Sequence, residues 1–323
     1  MILMKRKTIF LRLLSLVLLP ALFIFISCNK STVQHSEDTP TTGSIKIAAD
    51  ANIKPLVSAW IEAFQGLYPE AHINVSYYDE SELFSRLVKD SVFFIISSRE
   101  ANKEEKDFFI KKLHPPYTNH LATEGVALIV NPANKDTLLA IENIFDLLSY
   151  KSTKWNELSP KSKNDAKVNL VFDGNKSGIV RYFFDTLPNK KITNPNLTIG
   201  GSCKGVIEKV ASDKNALGFI NLQWISDGDD STGTAFLSSI RVVEVSPADT
   251  SEHGGYFYKP YLANIALKKY SFPLGVYAIN TEGRVGLATG FASFLAGERG
   301  QRIALKMGVL PAAMPVRLVK FTK

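Results

Sequence analysis

Apolar and polar positions alternate along most of the chain with two periods, and the period changes every ten to fifteen residues. Residues 44–49 alternate and are β-prone. Residues 55–68 carry Leu56, Trp60, Ile61, Phe64 and Leu67 at helical spacing, with Pro55 suited to the first turn. The same reading predicts strands at 73–77, 92–97 and 126–130, with helices at 81–89 and 103–112 between them. Helices at 141–149, 178–187 and 205–212 then alternate with strands at 168–172, 197–199 and 217–220. The C-terminal part adds strands at 240–245 and 277–280 and helices at 285–295 and 301–307. Strands separated by single helices predict an α/β fold of mainly parallel sheets flanked by helices.

The N-terminus breaks this pattern. Lys5, Arg6, Lys7 and Arg12 precede an apolar run at 13–26, which is short for a membrane span and matches an export signal. Ser27-Cys28 ends the run, and a Ser/Thr/Pro-rich stretch follows to residue 43, read as a flexible tether. A small residue followed by Cys at this place resembles the lipobox of bacterial lipoproteins, although Phe25 stands where Leu is usual. That resemblance implies a signal peptide over 1–27, acylation of Cys28, and a membrane-anchored chain facing the periplasm or cell surface.

Composition then narrows the function classes. The 323 residues, 45% of them hydrophobic, suit two sizeable cores and exclude a disordered chain. The net charge of +7 is concentrated in the leader; the remainder holds 34 basic against 31 acidic residues, which argues against nucleic acid as a partner. Cys28 and Cys203 are the only cysteines, so no disulfide framework is expected, and Cys203 reads as a buried small residue at a helix start. The five histidines lack metal-ligand spacing, and no Gly-x-Ser-x-Gly or His-Glu-x-x-His motif occurs. Residues 200–205 imitate a P-loop, but Val206 and Ile207 stand where the phosphate-binding Lys and Ser/Thr belong. No enzyme, cofactor or metal is expected.

Three strand-to-helix junctions collect polar side chains: Asp50-Ala51-Asn52, Ser98-Arg99, and Lys176-Ser177-Gly178. Ligands of open α/β sheets sit at such junctions, against helix N-termini that favour anions. Ser, Asn and Asp also cap helices there, so each junction alone has a purely structural reading.

The segments IKIA at 45–48, SSRE at 97–100 and GVALIVNP at 125–132 resemble the phosphate-binding proteins of ABC importers. So do WNEL at 155–158, Ser177-Gly178, ALGF at 216–219, GQRI at 300–303 and GVLP at 308–311. The resemblance runs in order over about residues 44–315 and implies a type II periplasmic-binding-protein fold. Lobe 1 would comprise 44–130 and 226–323, and lobe 2 131–225, joined by crossover strands and closing over a solute. It also implies capture of inorganic phosphate or a related small anion by a monomer, for an ABC permease in the membrane. The pocket turns depart from the family, with Asp50-Ala51-Asn52 after the first strand, Glu80-Ser81 in the second loop and Ile179 in place of Thr. Asp50, Ala51, Asn52, Glu80, Ser81, Ser98, Arg99, Lys176, Ser177, Gly178 and Arg181 are the expected ligand-binding residues. A carboxylate there accepts a proton from a protonated phosphate and repels sulfate. Asp50, Glu80 and Ile179 keep open a receptor for another small anion or organic acid. The aromatic run 256–261 keeps open a surface lipoprotein with a sensory or protein-interaction role.

Overall fold

The computed structural model describes residues 38–112, 115–159, 161–187, 191–226, 231–247 and 255–313. The expected signal peptide, residues 1–27, and the expected lipidation site Cys28 lie outside these residues. The chain runs β1 (Gly43–Asp50), α1 (Lys54–Leu67), β2 (Ala71–Tyr78), α2 (Glu80–Val88), β3 (Phe94–Ser97), α3 (Lys103–Lys111) and β4 (Tyr117–Val130). It continues through β5 (Leu138–Leu139), α4 (Ile141–Leu148), α5 (Trp155–Leu158), β6 (Asn169–Phe172), α6 (Gly178–Thr186), β7 (Leu197–Ile199), α7 (Cys203–Ser212) and β8 (Ala216–Asn221). The last part holds α8 (Ser231–Ser239), β9 (Arg241–Val242), β10 (Glu244–Val245), α9 (Leu262–Ala266), β11 (Pro273–Asn280), α10 (Leu287–Ala296), α11 (Glu298–Lys306) and β12 (Leu310–Pro311). Among the described residues, no helix is long and apolar enough to cross a membrane.

The local reasons are those of the pattern. In α1, Leu56, Val57, Trp60, Ile61 and Phe64 are buried along one stripe, and Pro55 stands in the first turn, where its missing N–H costs nothing. In α3 the Asn102 side chain accepts from the Glu105 N–H, while Glu105 reaches back to the Asn102 N–H.

β1, β2 and β3 pair in parallel, as right-handed β-α-β crossovers require, and β11 joins β3 antiparallel. β4 is the crossing element. Its N-terminal half pairs with β11, while residues 126–130 pair antiparallel with β8. One sheet of order β2-β1-β3-β11-β4-β8-β6-β7 thereby spans two cores. In the first, Trp60, Phe64, Phe94 and Phe291 pack between the sheet and α1 and α10, and a smaller cluster around Leu83, Phe84 and Phe109 covers the opposite face. The second core centres on Trp155, Phe172, Phe183 and Phe219, with the Phe172 and Phe219 rings stacked at 4.4 Å.

Three expectations change, two from the pattern and one from the resemblance. β4 begins nine residues before 126, because the polar run Tyr117–His120 is half-exposed yet paired with β11. The second core holds Ile240, Val243, Val245, Tyr270 and Phe272, residues beyond the 131–225 that the resemblance implies for lobe 2. Backbone pairing explains why: Val126 N–H donates to the Phe272 carbonyl, and the Tyr270 hydroxyl to that of Val126. Finally, the expected tether is fixed from residue 38 onward, since Asp38 pairs with Arg284 and accepts the Leu287 N–H at the start of α10.

Candidate functional site

Three strand ends deliver the site. β1 ends at Asp50, which is fully buried in extended backbone; its Oδ1 accepts the Asn52 N–H at 3.0 Å and so caps the short 3-10 turn that follows. β3 ends at Ser97, and the next side chain, Ser98, is held between two carboxylates. Its Oγ lies 2.9 Å from Asp50 Oδ2 and 2.7 Å from Glu80 Oε2. A hydroxyl has one proton to donate, so satisfying both oxygens requires one carboxyl to be protonated and to donate in return. Asp50 fits that part: burial, with the Glu80 and Asp173 charges adding to it, pushes its carboxyl up to about 7 against the pull of its hydrogen bonds.

β6 brings the third end from the second core. Asp173 follows it, and Ser177 caps α6 by accepting the Val180 N–H at 3.2 Å while its hydroxyl donates to Asp173 Oδ1 at 2.7 Å. Burial raises Asp173 to about 6. The two cores meet here. Asn52 Nδ2 donates to Asp173 Oδ2, and a Cβ built on Gly178 would lie 2.2 Å from Ser98 Oγ and 3.2 Å from Asp50 Oδ2. Only glycine lets the α6 N-terminus approach this closely.

The cations stand at the rim. Arg99 Nε donates to Glu80 at 3.1 Å, its two Nη atoms grip Glu105 at 2.7 and 2.9 Å, and its Cζ lies over the Phe84 ring, 3.4 Å from the ring centre. Arg181 Nε donates to Glu80 at 2.6 Å and Nη1 to Asp185 at 3.1 Å. Asp50, Asn52, Glu80, Ser98, Arg99, Ser177, Gly178 and Arg181 are therefore brought together. Ala51 is half-buried in the capped turn, and Ser81 and Lys176 are exposed.

A buried group beneath the site was missed by sequence reasoning. Glu124 in β4 is fully buried; Oε1 accepts from Asn221 Nδ2 at 2.6 Å and Oε2 from Gln223 Nε2 at 3.0 Å. Gln223 Oε1 in turn accepts the Leu56 N–H at 2.9 Å, and Trp224 Nε1 donates to the Asn52 carbonyl at 2.7 Å. This network joins the crossing strand and the end of β8 to the N-terminus of α1. An acid two residues before the apolar run 126–130, with amides at the end of β8 and two residues past it, was the available signal. Cys203, at the start of α7, is buried with Sγ 3.5 Å from Asn52 Oδ1, and burial holds its thiol well above the ordinary range. It is a packed, unreactive thiol.

The chemistry of the seam is donors and acceptors on two facing halves. Among the described residues, no group of three or more His, Cys, Asp or Glu is placed to hold a metal ion.

Comparison with known proteins agrees with this architecture. The family model described as the PBP superfamily domain matches residues 34–299. Phosphate-binding protein PstS 2 of Streptococcus agalactiae is 25% identical over 119 residues, which cover 37% of this chain and 39% of that protein. Protein SphX of Synechococcus elongatus is 23% identical over 212 residues, 61% of this chain and 63% of that one. The matches thus span well under half to somewhat under two thirds of these relatives' lengths. Among solved structures, a putative phosphate ABC transporter substrate-binding protein with bound phosphate from Clostridium perfringens superposes with a TM-score of 0.68 at 21% identity, over 84% of this chain and 100% of that one. That likeness concerns the fold. The match to the family model covers most of the sequence, and the chain belongs to the PBP superfamily.

Proposed function

We propose that the protein is an extracytoplasmic solute-binding protein that captures an oxyanion, phosphate, between its two halves and delivers it to an ABC importer. The observation that carries this reading is the meeting of the α6 N-terminus with Ser98 and Asp50 across the seam. Unpaired N–H groups of a helix N-terminus favour an anion, and the Ser98 and Ser177 hydroxyls add donors. Asp50 releases the proton it lends to Ser98 as the ligand takes that hydroxyl, and it then accepts the O–H of a protonated phosphate, whereas sulfate at neutral pH has no proton to offer. The similarity to the phosphate-binding protein of Streptococcus agalactiae and to the phosphate-bound protein of Clostridium perfringens supports the same ligand class. The halves act as lobes that close over the solute, with the core of the second extending from Val126 to Leu274. The apolar run 13–26 followed by Ser27-Cys28 supports acylation of Cys28, which tethers a monomer to the membrane outside the cytoplasm.

Calorimetric titration of the protein with phosphate and with sulfate tests this. The reading expects phosphate to bind and sulfate to bind far more weakly, and Asp50→Asn to lower phosphate affinity while sparing or improving that for sulfate. Equal binding of both anions, or of neither, refutes it. The abundance of buried carboxylates favours one second reading, a receptor for another small anion or an organic acid whose hydroxyls donate to them.

A further inference from the structure

The donors expected to receive an incoming anion converge instead on one side chain of the chain itself. Glu80 is the first residue of α2, and its side chain is 4% exposed. Oε2 accepts the Ser98 hydroxyl at 2.7 Å; Oε1 accepts Arg99 Nε at 3.1 Å and Arg181 Nε at 2.6 Å. The N-terminus of α6, a nine-residue helix, abuts the same carboxylate, since a Cβ on Gly178 would lie 2.9 Å from Oε2. The carboxylate is thus surrounded by a hydroxyl, two guanidinium groups and the positive end of a helix dipole, the set that recognises an oxyanion. Glu80, Ser98 and Arg99 come from the first half of the sheet, and Arg181 and Gly178 from the second. The Glu80–Arg181 pair therefore crosses the seam.

We propose that Glu80 is an internal anion: its carboxylate occupies the seat of the solute's oxygens, latches the halves together, and is displaced when the anion enters. This rests on the oxyanion reading of the site. Displacement leaves Glu80 in the first turn of α2, beside that helix's own N-terminus, where its charge is favoured. The latch also sets selectivity. A monocarboxylate entering the seat exchanges one carboxylate for another and gains little. A dianionic oxyanion brings a second charge and a further oxygen to the same donors. The observed affinity is weakened by the fraction of molecules held latched, so a latch closed in about nine molecules of ten raises the apparent Kd about tenfold.

The test combines small-angle scattering with calorimetry, using inorganic phosphate, on the parent, Glu80→Gln and Arg181→Gln. Without phosphate, both variants should have a larger radius of gyration than the parent, because each cuts the seam pair from one side. With saturating phosphate, Glu80→Gln should contract to the parent value and bind about tenfold more tightly. Arg181→Gln, which loses a cation, should not gain affinity, and it carries the scattering test should Glu80→Gln fail to fold. An unchanged radius of gyration for the variants overturns the latch. So does Glu80→Gln binding phosphate no more tightly than the parent, the result expected if Glu80 grips the ligand. Expanded variants with no phosphate binding by any of the proteins uphold the latch and overturn the phosphate reading.

Discussion

Glu124 makes the stability of this protein depend on pH in a direction opposite to that of most carboxylates. Its only hydrogen-bond donors among the described residues are the neutral amides of Asn221 and Gln223. Burial, with the Asp50 charge adding to it, pushes its carboxyl from an ordinary 4.5 to about 8 despite those amides. The folded state therefore binds the proton more tightly than the unfolded one. Stability from this group is fully present below about pH 4.5 and is lost as pH rises to about 8. A difference of about three and a half units at about 1.4 kcal/mol each gives a loss of about 5 kcal/mol. Glu124→Gln keeps the shape without the titration, and rotation of the Asn221 amide offers its new N–H₂ an acceptor. Urea unfolding of both proteins at pH 5, 7 and 9 isolates the effect, because Asp50 and Asp173 titrate in each. The variant should gain about 4 kcal/mol on the parent between pH 5 and pH 9. A difference that stays constant within about 0.5 kcal/mol across that range refutes the account of Glu124.

Gly178→Ala places a methyl group 2.2 Å from Ser98 Oγ, which two carboxylates hold in place. Overpacking of about 1–3 kcal/mol should weaken phosphate binding about tenfold or more, and parent-like affinity by calorimetry would exclude close approach of α6 as the binding geometry. Arg99→Lys loses the paired grip on Glu105 and the stacking on Phe84, so thermal or urea unfolding should report a loss of about 1–3 kcal/mol; an unchanged midpoint would mean the pair is inert. Asp38→Ala removes the acceptor for the Leu287 N–H and the partner of Arg284, and should lower stability by about 1 kcal/mol; no loss would show the 38–43 segment to be dispensable. Cys28→Ser should abolish incorporation of radiolabelled fatty acid, and undiminished label would sink the lipoprotein reading.

The regular elements were legible because each is driven by its own residues. The apolar stripe of α1, the capped start of α3 and the unbroken apolar run of β4 at 126–130 are local signals, and local packing honours them. What depends on a partner was not legible. Tyr117–His120 carries no apolar alternation and becomes strand only because β11 lies beside it. Residues 240–245 read as one strand, yet they split at Val243 into β9, paired with β4, and β10, paired with β5. The short helix α9 offers too few turns for a period to emerge, and the extent of the second core depends on Tyr270 and Phe272, whose contacts span more than a hundred residues.

The same distinction governs the site. Strand ends place Asp50, Ser98 and Ser177 at the seam, and that placement follows from the α/β pattern alone. What each group is bonded to does not, because a polar residue at a strand end can cap a helix, face a ligand or satisfy another side chain. Ser177 caps α6 and also donates to Asp173; Arg99 serves Glu105 and Glu80; Asp50 caps a turn and shares Ser98 with Glu80. Charge decides among these uses. Four carboxylates, Asp50, Glu80, Glu124 and Asp173, are buried at or just below the seam, where four negative charges together would be costly. Three of them are pushed toward neutrality by burial, and the fourth, Glu80, receives two guanidinium groups. An anion entering such a seam cannot simply add its charge to those present. It must take over the cations that Glu80 holds, or bring a proton that a carboxylate accepts, and a protonated phosphate can do both.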